Sequence, residues 1–221
     1  MRFGLLRPFD GVIFDLDGTL LDSLGMWSQV DQDFLSKRGI PVPDDYMEAL
    51  NPLGLQEAAV YTIRRFGLPE TPEAVLAEWR GMVKAHYLED IRPKPGARQL
   101  LAQLELMGAP MAVATALSEE MALPCLERCG LRQFFGAVVT ANAPGMAKHL
   151  PAIWQKAAAA VSLPAERCVA LDDTAPSILG AKAAGMQVVG IFDPLSSSRE
   201  ALEKAADAVV DGFGRLMAGI H

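Results

Sequence analysis

Two carboxylates one residue apart, Asp15 and Asp17, follow the apolar run Val12-Ile13-Phe14 and precede Gly18-Thr19-Leu20-Leu21. An extended segment puts residues i and i+2 on one face, so a strand here delivers both acids together at its carboxyl end. Open α/β sheets bind their ligands at that end. Two like charges so close need a counter-charge, and a divalent cation such as Mg²⁺, which takes hard oxygen ligands and keeps phosphate company, supplies one. Gly18 lets the backbone turn tightly, after which the N–H groups and the hydroxyl around Gly18-Thr19 can face a phosphate oxygen.

Phosphoryl transfer asks for a nucleophile, a cation, hydrogen-bond donors and an acid for the leaving group. The ends of other apolar runs supply such groups. Thr115-Ala116 follows Met111 to Ala114; Lys148 lies beyond Ala137 to Val139, three residues before Pro151; Asp172-Asp173-Thr174 follows Cys168 to Leu171. Each has an ordinary alternative. A threonine is common at a strand end, a lone lysine is usually a solvated charge, and an acidic pair before Thr174 and Pro176 can be no more than the start of a helix.

Together these segments resemble, in order and position, the four motifs of the haloacid dehalogenase-like (HAD) phosphohydrolases, from Asp15-Leu16-Asp17-Gly18-Thr19-Leu20 to Ala183-Ala184-Gly185-Met186. The resemblance covers essentially the whole chain. It implies Asp15 as nucleophile and Asp17 as general acid/base. Thr115 and the N–H of Ala116 would hold the phosphate, and Lys148 would neutralise charge at Asp15 and the phosphate. Mg²⁺ would be held by Asp15, Asp173 and the main-chain carbonyl of Asp17, with Asp172 acting directly or through water. Two departures stand out. Ala116 occupies a position where many relatives have Ser or Asn, and Ala147-Lys148-His149-Leu150-Pro151-Ala152 lacks the first Pro and the Asp of the usual Gly-Lys-Pro-x-Pro-Asp. Without an acid at 152, Lys148 is expected to be less firmly oriented.

Asp17 and Asp173 favour phosphatase or phosphomutase chemistry over dehalogenation, which needs neither an acid for an alkoxide nor a metal. The resemblance therefore implies a Mg²⁺-dependent phosphoric monoester hydrolase acting on a small phosphorylated metabolite through an aspartyl-phosphate. The alternative is a β-phosphoglucomutase-like mutase. Trp27 and Gln56 stand near where such mutases carry a His and an Arg, which weakens that alternative. A catalytically weak binding protein on the same fold is a third reading.

The elements that must position these residues follow from periodicity. From about Pro95 onward, short apolar strands alternate with helices: Ala97 to Met107, Glu119 to Cys129, Ala152 to Val161 and Ser177 to Ala184. Pro124 should kink the second or split it. Such alternation predicts a doubly wound, Rossmann-like parallel sheet. Between about Leu24 and Ile91 the alternation stops, and Trp27 to Arg38, Asp44 to Leu50, Leu55 to Phe66 and Pro72 to Tyr87 all read as helices. The expected organisation is an α/β core domain, residues 1–24 and 92–221, with an inserted all-helical cap domain, residues 25–91. Hinges are expected near Asp22 to Gly25 and Leu88 to Lys94.

The net charge of −7 argues against nucleic acid or an anionic membrane as partner. No apolar stretch is long enough to span a bilayer, and residues 1–9 hold too short an apolar segment for a signal peptide, so a cytoplasmic monomer or weak dimer is expected. Three cysteines, an odd number, fit a reducing compartment. Cys125 and Cys129 read as small buried hydrophobes.

Overall fold

Strands made almost wholly of Val, Ile, Ala and Leu can be buried on both faces only if helices cover both. The computed structural model, which describes residues 1, 4, 6–50 and 53–219, has this architecture. Part of the 1–9 segment thus lies outside the described residues. The chain divides into two compact units, Met1–Leu24 with Ile91–His221, and Gly25–Asp90.

The first unit is built on β1 (Gly11–Phe14), β4 (Met111–Thr115), β5 (Ala137–Thr140), β6 (Cys168–Asp172), β7 (Gln187–Ile191) and β8 (Ala208–Val210). These form one parallel sheet in the order β5-β4-β1-β6-β7-β8. β1 sits where the strand order reverses, so the chain leaves it in opposite directions across the sheet and a crevice opens at its carboxyl end. Helices α5 (Ala97–Leu106), α6 (Glu119–Arg128), α7 (Pro151–Ala160), α8 (Ala175–Ala183), α9 (Arg199–Ala205) and α10 (Phe213–Met217) complete the unit. On one face Ile13, Ala112, Ala170 and Val188 pack with Ile153, Trp154, Ile178 and Leu202 in a single core cluster. Each fully buried large side chain contributes roughly 1.5–3 kcal/mol, and Phe14, Leu100, Leu101 and Phe213 bury further apolar surface outside this cluster.

Two short strands, β2 (Leu21–Asp22) and β3 (Arg92–Pro93), pair antiparallel where the chain leaves and re-enters this unit. The N–H of Lys94 also donates to the carbonyl of Leu20 at 2.8 Å. The expected hinge segments thus include a hydrogen-bonded ribbon, too short to be read from periodicity.

The second unit comprises α1 (Met26–Ser36), α2 (Tyr46–Leu50), α3 (Leu55–Phe66) and α4 (Pro72–Glu89). Thr71 caps α4 by accepting from the N–H of Ala74 at 3.3 Å, with Pro72 at the first helical position. Phe34 meets Trp79 edge-to-face at 5.6 Å, and Tyr46, Tyr61 and Phe66 form a second aromatic group. Of the two outcomes expected at Pro124, a split helix does not form. Pro124 lies inside a single helix, because the carbonyl it leaves without a donor belongs to exposed Glu120 in the first turn, where water can serve it. The cap of α9 is Ser198, accepting from the N–H of Ala201, while the Ser197 hydroxyl accepts from the N–H of Ala175. The three cysteines are buried and free. Among the described residues no helix is long and apolar enough to cross a membrane.

Candidate active site

β1 and β6 are neighbours in register, with Phe14 opposite Leu171, and the N–H of Asp15 donates to the carbonyl of Leu171 at 3.0 Å. Asp15 and Asp172 therefore leave the sheet side by side. Asp173, one residue further, completes a group of three buried carboxylates that can each offer an oxygen within 4.8 Å of the others. Lys148 arrives from the loop before α7 and puts its ammonium 2.5 Å from Asp15 Oδ1 and 2.6 Å from Asp172 Oδ2. Strand order and register thus gather residues far apart in sequence at one edge of the sheet.

Each acid is held. Asp172 Oδ1 accepts from the N–H and the hydroxyl of Thr174 at 2.8 and 2.9 Å. The Thr19 hydroxyl donates to Asp173 Oδ1 at 3.3 Å, and Ser196 donates to the Asp173 main-chain carbonyl at 2.9 Å. The turn after Asp17 passes so near that a Cβ on Gly18 would lie 2.3 Å from Asp173 Oδ2, and the φ of +73° at Gly18 also disfavours a side chain. That same Oδ2 is buried and meets no hydrogen-bond donor among the described residues.

Asp17 stands apart from the three converging side chains. Its Oδ1 accepts from the Ser23 hydroxyl at 2.7 Å. Asp15, Asp17, Lys148 and Asp173 line one open cleft of about 680 Å³, together with Ala116, His149 and Leu195. Thr115, Gly18 and Thr19 are buried and do not line it. Thr115 Oγ1 accepts from the N–H of Leu117 at 3.1 Å, and the Thr19 hydroxyl faces Asp173. The Thr115 oxygen accepts, which leaves its own proton to donate, whereas the Thr19 hydroxyl spends its proton on Asp173.

The site carries more negative charge than it can balance. Burial raises the pKa of Asp15 well above the ordinary carboxylate value; Lys148 pulls it down, but Asp172, Asp173 and Asp17 push it up again. Burial likewise raises Asp173, with Asp172 adding to it. Burial alone would lower Lys148, yet Asp15 and Asp172 outweigh that and hold the ammonium firmly protonated. One lysine cannot neutralise Asp15, Asp17, Asp172 and Asp173. All-oxygen donors, excess negative charge and the unpartnered Asp173 Oδ2 fit a hard divalent cation at Asp15, Asp172 and Asp173.

Several contributors escaped the sequence. Thr174 follows Asp172 at the spacing of a local side-chain turn, which is a readable signal. Ser23 and Ser196 carry none, because their partners are set by loop paths. Ala152 brings no acid to Lys148. Instead the lysine's own carbonyl accepts from the Trp154 indole N–H at 2.8 Å.

Comparison with known proteins agrees with this architecture. The chain is 29% identical to a phosphoglycolate phosphatase of Agrobacterium fabrum (strain C58) over 95% of this chain and 92% of the relative. It is 28% identical to hexitol phosphatase A of Escherichia coli (strain K12), over 86% of each chain. The solved structure of a HAD family hydrolase from Deinococcus radiodurans R1, with bound phosphate and sodium, shares the fold with a TM-score of 0.78 at 24% identity, covering 96% of this chain and 94% of that one. The family model for haloacid dehalogenase-like hydrolases matches residues 9–185, and the chain belongs to that family.

Proposed function

We propose that the protein is a Mg²⁺-dependent phosphatase that hydrolyses a small phosphorylated metabolite through an aspartyl-phosphate on Asp15. One observation carries the reading: the convergence of Asp15, Asp172 and Asp173 with Lys148 between two of them, at the carboxyl edge of the sheet. In this reading an oxygen of Asp15 attacks phosphorus while the bond to the leaving oxygen breaks, and Asp17 gives that oxygen its proton. Asp17 then takes a proton from water as the water oxygen attacks phosphorus, freeing Asp15 and releasing inorganic phosphate. Lys148 offsets charge on Asp15 and on the phosphoryl oxygens. The Thr115 hydroxyl, which accepts from Leu117 and keeps its own proton to donate, and the main-chain N–H of Ala116 would hold the phosphate, while the N–H groups of Gly18 and Thr19 donate to Leu21 and Leu16. Asp15, Asp173, the Asp17 carbonyl and Asp172, directly or through water, would hold Mg²⁺. When bound, the ion supplies electrostatic stabilisation of the transferring group. Residues 1–24 with 92–221 are taken as the catalytic domain and 25–91 as a cap domain.

The named relatives, a phosphoglycolate phosphatase and a hexitol phosphatase, support a small phosphorylated substrate. The test is phosphate release from an aryl phosphate and from a panel of sugar phosphates, nucleotides and phosphoglycolate, with Mg²⁺ or with chelator. Release only with Mg²⁺ is expected; equal release in chelator would refute the metal requirement. Supplying β-glucose 1-phosphate with a catalytic amount of the 1,6-bisphosphate separates phosphatase from mutase. Inorganic phosphate should accumulate faster than glucose 6-phosphate, and the reverse would overturn the assignment.

A further inference from the structure

Lys148 is the one member of the charge cluster carried by a long irregular segment, between β5 and α7. A proline at 149 would fix its own φ and bias residue 148 toward an extended backbone. His149 does neither. Something else must fix where the lysine starts. Trp154, fully buried in the first turns of α7, donates its indole N–H to the Lys148 carbonyl at 2.8 Å. Its ring lies below the other end of the same residue, with the Lys148 ammonium 5.7 Å from the ring centroid, within cation–π range. From α8, Gly180 closes on the same carbonyl. A Cβ there would lie 2.2 Å from the Lys148 carbonyl oxygen and 2.7 Å from the His149 carbonyl carbon. Backbone and ammonium of Lys148 are thus both indexed to one indole. A side chain that only filled the core would need neither contact, since a buried indole N–H can be satisfied by any acceptor.

We propose that Trp154 is a positioning residue for Lys148, setting the ammonium between Asp15 and Asp172 in place of the acid that residue 152 does not supply. The inference rests on the reading of Lys148 as the cation that assists Asp15. Its action is through the lysine, so its effect should vanish when the ammonium is gone.

The test is a cycle of Trp154→Phe, Lys148→Ala and the double variant, read as kcat and KM for Mg²⁺-dependent phosphate release. Trp154→Phe keeps an aromatic ring but removes the N–H. It should lower kcat about tenfold with little change in KM, and cost less than about twofold in the Lys148→Ala background. Equal losses in both backgrounds would make Trp154 a core residue only and overturn the proposal. If Lys148→Ala alone leaves kcat unchanged, the role of Lys148 fails instead, so the two failures are distinct. A second measurement needs neither turnover nor a Trp154 variant. In wild-type NMR spectra, the Lys148 ε-methylene protons, assigned as those missing in Lys148→Arg, should be displaced upfield by the indole ring current. Shifts at ordinary lysine values would contradict the contact.

Discussion

The two units bury carboxylates in opposite ways. In the sheet-containing unit Asp15, Asp172 and Asp173 are clustered around Lys148, with Thr19, Thr174 and Ser196 holding them in place. In the helical unit Asp31 is buried on α1 with Val30, Phe34 and Leu35, and burial, with no cation to offset it, raises its pKa. In the same unit Arg38 bonds both Glu70 and Glu78, at 2.7 and 2.6 Å. Buried charge is expensive unless compensated. Where several elements converge to share and orient such charge, the arrangement signals chemistry. An isolated buried acid is a stability cost.

The largest expected effect tests the first half of that contrast. Asp15→Asn should lower turnover by about 10⁴-fold or more, the scale of losing a nucleophile, as measured by phosphate release. Wild-type rates would break the covalent account. Next, Lys148→Ala should cost on the order of 10² in kcat/KM, as when one preorganised electrostatic group is removed. A loss below about threefold would return Lys148 to the surface charges.

A cation that binds the folded cluster must also stabilise it. Unfolding followed by circular dichroism should show wild type gaining about 2.7 kcal/mol when Mg²⁺ is at a hundred times its Kd. Asp173→Asn, which removes the unpartnered oxygen's charge, should gain far less at the same concentration. Equal gains would place the ion elsewhere.

The smallest effect tests the other half. Burial raises the pKa of Asp31 to about 6, above the value of about 3.9 for a free Asp. Between those values the folded chain keeps the proton and the unfolded chain loses it. Stability therefore falls as pH rises from about 4 to about 6 and stays lowered above that. Asp31→Asn should thus stabilise the protein by roughly 1–3 kcal/mol near pH 7 and by almost nothing near pH 4. A difference that does not change with pH would mean that Asp31 has a partner after all.

The contrast also marks what the sequence could reveal. The sheet, the helices and the convergence of Asp15, Lys148 and Asp173 were readable because each acid or base follows an apolar run, and parallel strands align their ends. The helical unit was equally readable because four helical stretches follow one another between about Leu24 and Ile91, where the alternation with strands stops. What periodicity does not carry is side-chain direction. Nothing in a strand's periodicity says that the Thr115 and Thr19 hydroxyls turn to Leu117 and Asp173. Loop paths alone bring Ser23 to Asp17 and Trp154 to Lys148. Asp31 was invisible because an acid at helical spacing looks the same whether it faces water or core.

The most direct test of the central claim is chemical capture of the intermediate. The protein is mixed with Mg²⁺ and a substrate radiolabelled in its phosphoryl group, quenched in acid during turnover, and digested. Label should appear on the peptide containing Asp15, be released by mild alkali or hydroxylamine as an acyl phosphate would be, and be absent in Asp15→Asn. A protein that turns over substrate with no label on that peptide, or an Asp15→Asn variant that still acquires it, would contradict the account.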